Sequence, residues 1–92
     1  MSVSLTIDER LLGVEGSDQE AKFETAGGTV EECLNNFLTT KPELKEKFFE
    51  QNGKLACGIT IFVNNSPFVV DALKKRIKNG DRMRVLGPLE GG

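Results

Sequence analysis

The sequence predicts an α+β domain in which a mixed sheet of four to five strands packs on one main helix, with one or two short helices besides. Three observations lead there. Short runs of alternating apolar and polar residues stand at both ends of the body, at Ser2–Ile7 and Arg82–Leu86. Between them lies a single stretch with helical periodicity, opened by a capping signal. Glycine- and asparagine-rich turn signals divide the remainder into short pieces.

The elements follow in order. Ser2 to Ile7 alternates strictly, so Val3, Leu5 and Ile7 are expected to face inward. A polar, glycine-bearing loop is predicted from Asp8 to about Asp18. Glu20 to Thr25 supplies a second strand, with Ala21 and Phe23 on one face and Lys22 and Glu24 on the other. The two strands are expected to form a hairpin with a long connection. Thr29 followed three residues later by Glu32 is a capping box, in which each side chain satisfies a free N–H of the helix start. Val30, Cys33, Leu34, Phe37 and Leu38 then form one apolar stripe, which places Cys33 in the core.

Pro42 opens a second short helical stretch with Leu44 and Phe48 inward, ended by Asn52-Gly53. Leu55 to Val63 carries a strand signal, strongest from Ile59. Asn64-Asn65 is a tight turn, and Pro67 to Val70 reads as a short returning edge strand. Ala72, Leu73 and Ile77 are expected to share one helical turn. Asn79-Gly80-Asp81 then turns the chain into a last strand, Arg82 to Leu86, with Met83 and Val85 inward. Cys57, beside Gly58 in a run of small apolar residues, is read as a structural cysteine.

Composition narrows the function classes. The 92 residues form one domain, residues 1–86, followed by a flexible tail at 87–92. No stretch is apolar enough to span a bilayer, and the start lacks the order of a secretory signal. Neither cysteine stands in a metal-ligand spacing and histidine is absent, so no metal site is expected. The missing histidine also removes the commonest general base, and no nucleophile constellation or phosphate loop is present. The chain does not read as an enzyme. A reduced, cytoplasmic protein with no bound cofactor and no membrane partner fits these features.

Charge is uneven. Residues 1–36 are rich in carboxylates, whereas residues 71–86 carry Lys74, Lys75, Arg76, Lys78, Arg82 and Arg84 against Asp71 and Asp81. Such a stretch is ordinarily a solvated face; the functional alternatives are an acidic partner or an anionic substrate. Nucleic acid is disfavoured, because no stacking aromatics are interleaved.

The segment Gly87-Pro88-Leu89-Glu90-Gly91-Gly92 is the most informative part of the chain. Two consecutive glycines make a thread thin enough for a narrow channel, and they carry a terminal carboxylate. With Gly28-Thr29-Val30-Glu31-Glu32-Cys33-Leu34, Asn52-Gly53-Lys54-Leu55, Phe62-Val63-Asn64-Asn65 and Asn79-Gly80-Asp81-Arg82-Met83-Arg84-Val85, this tail resembles the ubiquitin-like β-grasp proteins of the MoaD/ThiS sulfur-carrier family. The resemblance covers essentially the whole chain. Three departures stand out: Gly87 where family tails often have a second proline, Glu90 where they have a small residue, and Asn79 where an aspartate is usual. The fuller regions after the first strand and around Pro42 favour a molybdopterin-type or tungsten-pterin carrier over a compact thiamin type.

The resemblance implies a mechanism. An E1-like adenylyltransferase (MoeB/ThiF-like) uses ATP to adenylate the carboxylate of Gly92. Sulfur from a persulfide donor then yields a thiocarboxylate, which is passed to an acceptor enzyme such as a MoaE-like synthase subunit. Gly92 is the reacting residue. Gly91, Glu90, Leu89, Pro88, Leu86, Arg84 and Phe62 are the expected partner contacts, with Thr6 beside them on the sheet face away from the helix. Phe62 is expected to be exposed there. The same chemistry also serves a ubiquitin-like modifier joined through Gly92 to a target lysine. A binding module with an incidental diglycine is the third reading.

Overall fold

The computed structural model describes residues 2–68 and 71–87; the expectations for Val69, Val70 and for Pro88 to Gly92 lie outside them. Five strands form one mixed sheet: β1 (Val3–Asp8), β2 (Glu20–Thr25), β3 (Thr60–Val63), β4 (Ser66–Phe68) and β5 (Arg82–Leu86), in the order β2-β1-β5-β3-β4. The first and last strands lie side by side and parallel in the middle of the sheet, with Ile7 opposite Val85. Every other pairing is antiparallel. Parallel pairing needs a crossover, and α1 (Val30–Leu38) supplies it by packing on one face.

Alternation places Val3, Leu5 and Ile7 of β1, Ile61 and Val63 of β3, and Met83 and Val85 of β5 in the core. All five stripe residues of α1 meet them there. Phe23, Phe37 and Phe48 pack as tilted rings in series, with centroids 4.8 Å and 6.5 Å apart, and tie β2 through α1 to α2 (Lys45–Phe48).

The helix start works as a capping box with one change. The Thr29 hydroxyl accepts from the Glu32 N–H at 3.2 Å, but Glu32 reaches back to the N–H of Gly28, at 2.8 Å, rather than to that of Thr29. A Cβ on Gly27 would stand 2.7 Å from the Cys33 nitrogen, so only glycine lets the chain pass this close beneath the helix. Asn64 and Asn65 both have positive φ (51° and 71°), the backbone of a two-residue hairpin turn between β3 and β4.

Several boundaries differ from expectation. Asp8 belongs to β1, and Glu9–Leu12 forms a turn of 3₁₀ helix inside the predicted loop, closed by Gly13 at φ 95°. The second helical stretch ends at Phe48, before Asn52-Gly53, because Phe49 turns extended and pairs with Leu55 in an isolated bridge. That bridge also takes Leu55 out of the predicted strand. With Gly58 at φ 86°, β3 begins only at Thr60. Ile77 lies outside the turn Ala72–Lys74; it is buried and donates its N–H to Gly28 O, beside the Thr29–Arg76 bridge. Among the described residues no helix is long and apolar enough to cross a membrane.

Candidate functional site

The site is built where β5 hands the chain to its C-terminal segment. Because β5 runs parallel to β1, Leu86 and Gly87 emerge from the middle of the sheet beside Asp8, at the end opposite the Asn64-Asn65 turn. On the face away from α1, register lines up Lys22, Thr6, Arg84, Phe62 and Pro67 across all five strands. The predicted grouping of Thr6, Arg84, Phe62 and Leu86 on this face is therefore present. Phe62, however, is half-buried rather than exposed, as are Thr6 and Leu86. The one exposed large apolar residue among those described is Val14, 47% open to water, on the loop that follows β1.

Arg84 is engaged within the chain. Its Nε donates to both carboxylate oxygens of Glu20, at 2.9 and 3.1 Å, reaching diagonally across β1. This fork holds the guanidinium above its usual range through the hydrogen bonds first and the charge second. Both partners are partly solvated, so a docking protein could take Arg84 from Glu20 at small cost.

Sequence reasoning missed the residues around the exit of β5. Asp8 is the only buried charged residue among those described. It accepts from the Arg10 backbone N–H at 3.0 Å, from Arg10 Nε at 3.1 and 3.2 Å, and from Arg10 Nη2 at 2.7 Å. Arg10 chiefly holds this carboxyl below its ordinary value, against the opposing effect of burial, and the nearby Gly87 backbone N–H adds a little to the lowering. Gly87 itself is buried, under the side chain of Leu11. A shallow cleft of about 250 Å³ runs alongside, lined in part by Asp8, Arg10, Glu20, Arg84 and Leu86. The available signal was Asp8-x-Arg10 followed by an apolar Leu11-Leu12 pair in an otherwise polar loop.

The basic stretch is not at this exit. Lys75, Lys78 and Arg82 lie at the opposite end of the sheet, about 13 Å down β5 at strand rise, where Gly80 donates to Ser2 O. Only Arg84 belongs to both descriptions. The two cysteines also separate. Cys33 is fully buried, and burial before neighbouring charge pushes its thiol up. Cys57 is exposed, which corrects its reading as a structural residue: the irregular backbone before β3 turns it outward. Among the described residues no three metal-ligating side chains come together. Gly92, Gly91, Glu90, Leu89 and Pro88 lie outside the described residues.

No family model matches the sequence, and no curated protein does. Solved structures do match the fold. Small archaeal modifier protein 1 from Haloferax volcanii superposes with a TM-score of 0.75 at 24% identity, with all of both chains covered. A chain of the BexX/CysO complex of Amycolatopsis orientalis gives 0.70 at 22% identity, over 96% of this chain and 99% of its own. A chain from the complex of subunits 1 and 2 of molybdopterin-converting factor from Helicobacter pylori gives 0.58 at 25% identity, with both chains fully covered. In fold, the chain is a ubiquitin-like β-grasp protein of the kind found in these modifier and converting-factor structures.

Proposed function

We propose that this chain is a sulfur carrier, activated at the carboxylate of Gly92 by an E1-like enzyme, in a molybdopterin- or tungsten-pterin-type pathway. The observation that carries the reading is the exit of β5: the strand before the diglycine leaves the centre of a β-grasp sheet, next to a face bearing Phe62, Leu86 and Arg84. The carboxylate attacks the α-phosphorus of ATP and pyrophosphate leaves. The terminal sulfur of a persulfide then displaces AMP, and a second thiol cleaves the resulting acyl disulfide to leave the thiocarboxylate. The carrier supplies an already ionised carboxylate for the first step and its electrophilic carbon for the second, so it needs no general base of its own. Pro88 limits the freedom of the thread and so lowers the ordering cost of docking. Phe62, Leu86 and Leu89 provide apolar contact area, with Arg84 at its edge.

Two of the structural relatives come from complexes, BexX with CysO and subunit 1 with subunit 2 of molybdopterin-converting factor, which supports a carrier that works in complex with a partner protein. A second reading, a protein modifier joined through Gly92 to lysine, is favoured by the likeness to small archaeal modifier protein 1.

Intact mass after incubation with the cell's own E1-like enzyme, ATP and a sulfide source tests the proposal. A gain equal to replacing one oxygen by sulfur, mapped to Gly92, is expected. No change, with that enzyme active on its known carrier, would overturn it. Lysine side chains bearing the Gly91-Gly92 remnant in cell extracts would favour the modifier.

A further inference from the structure

We propose that the Glu9–Leu12 turn, anchored on Asp8, is a saddle that fixes the point where the C-terminal segment leaves the domain, making Asp8 and Leu11 positioning residues for the chemistry at Gly92. The proposal rests on the activation reading above for its functional half, but its geometry stands alone.

Residues just past a strand end are ordinarily solvated, yet Gly87 is buried. Leu11 covers it. A Cβ built on Gly87 would stand 3.0 Å from Leu11 Cδ2 and 3.2 Å from Cγ, so glycine is what lets the leucine lie flat on the backbone. The Asp8 carboxylate stands beside the same stretch of backbone, one step past the Ile7–Val85 pair. A buried carboxylate is costly unless fully partnered. Asp8 meets that demand with Arg10, which donates through both its backbone N–H and its guanidinium.

Topology makes the arrangement possible. The parallel pairing of β1 and β5 brings the end of the first strand beside the end of the last, and the turn that follows β1 folds directly over that exit. The turn is itself well tethered. Glu9 N–H donates to Gln19 O at 3.1 Å, the Ser17 hydroxyl donates to the Glu9 carboxylate at 2.8 Å, and Leu11 and Leu12 pack on the core.

The saddle predicts that loosening it frees one or two extra residues, which a partner must then order. That raises the KM for the carrier on the order of 5- to 30-fold, with kcat unchanged. The experiment compares the full-length wild type with Leu11→Ala, Asp8→Asn and the conservative Leu11→Met. Two quantities are read: hydrogen exchange at the Gly87 amide, and ATP–pyrophosphate exchange with the E1-like enzyme. Protection at Gly87 in the wild type is expected, lost in Leu11→Ala together with the rise in KM, and largely restored in Leu11→Met. Asp8→Asn covers the case in which Leu11→Ala does not fold. An unprotected Gly87 amide in the wild type, or an unchanged KM in variants whose Gly87 is released, would overturn the proposal. If the wild type supports no pyrophosphate exchange, the activation reading fails instead. The amide then decides the saddle alone, upheld if Leu11→Ala releases it and refuted if it does not.

Discussion

The two ends of the sheet are closed by different means. At the end holding the Asn64-Asn65 turn, many exposed hydrogen bonds share the task. Asp81 accepts from the Lys78 N–H at 2.8 Å and from Asn64 Nδ2 at 3.1 Å, Asn64 Oδ1 accepts from the Arg82 N–H at 3.0 Å, and Ser2 N–H donates to Asn79 Oδ1 at 2.8 Å. At the exit of β5, one buried carboxylate and one leucine carry the same duty. Distributed, solvated bonds tolerate loss because water replaces each partner; a buried charge does not. The end from which the C-terminal segment departs is therefore the more fragile and the more sharply defined.

The largest test of this contrast is a pair of substitutions. Asp8→Ala should cost about 2–3 kcal/mol, below the value for a fully buried pair because Arg10 is partly solvated. Asn64→Gly keeps the left-handed backbone and removes only exposed hydrogen bonds, so about 1 kcal/mol or less is expected. Urea unfolding of both proteins measures the gap, and equal losses would erase the distinction between the two ends.

A subtler effect comes from acid. The Arg10 hydrogen bonds hold the Asp8 carboxyl below the ordinary aspartate value of 3.8 in the folded protein. Its contribution is therefore complete above that value and lost as pH falls through the lower, folded one. Asp8→Asn should be less stable than wild type at neutral pH, with the difference closing below about pH 4. A difference that does not narrow at all as pH falls below about 4 would mean that the charge of Asp8 is not what stabilises the fold. The smallest effect concerns no stability at all. In the native protein a maleimide should label Cys57 alone, and Cys33 only after unfolding, as read by mass. Two native labels would show that the core beneath α1 opens readily.

Much of this architecture was legible because local signals repeat. Helix α1 shows its stripe over nine residues with its cap just before them, β1 and β5 alternate, and Asn64-Asn65 names its own turn. Where no period exists, reading fails. The Glu9–Leu12 turn is too short for one, and a charge pair two residues apart in a loop looks like ordinary surface. Cys57 was misplaced because small apolar neighbours resemble a buried strand, while the decision lies with Gly58 and with a bridge between Phe49 and Leu55. The outer face of the sheet followed from alternation, but the partial cover over Phe62 did not. The burial of Gly87 is wholly tertiary, set by a residue far away in sequence.

The central pairing of β1 with β5 also orders events during synthesis. A growing chain makes β1 first and must wait for residue 86 before its inner edge can be satisfied. Until then the β1–β2 hairpin can close on one side only, leaving a row of unpaired amides and carbonyls open to any passing strand. The nascent chain is thus most vulnerable to misassembly late in its production, and its contacts of greatest sequence separation are the last to form.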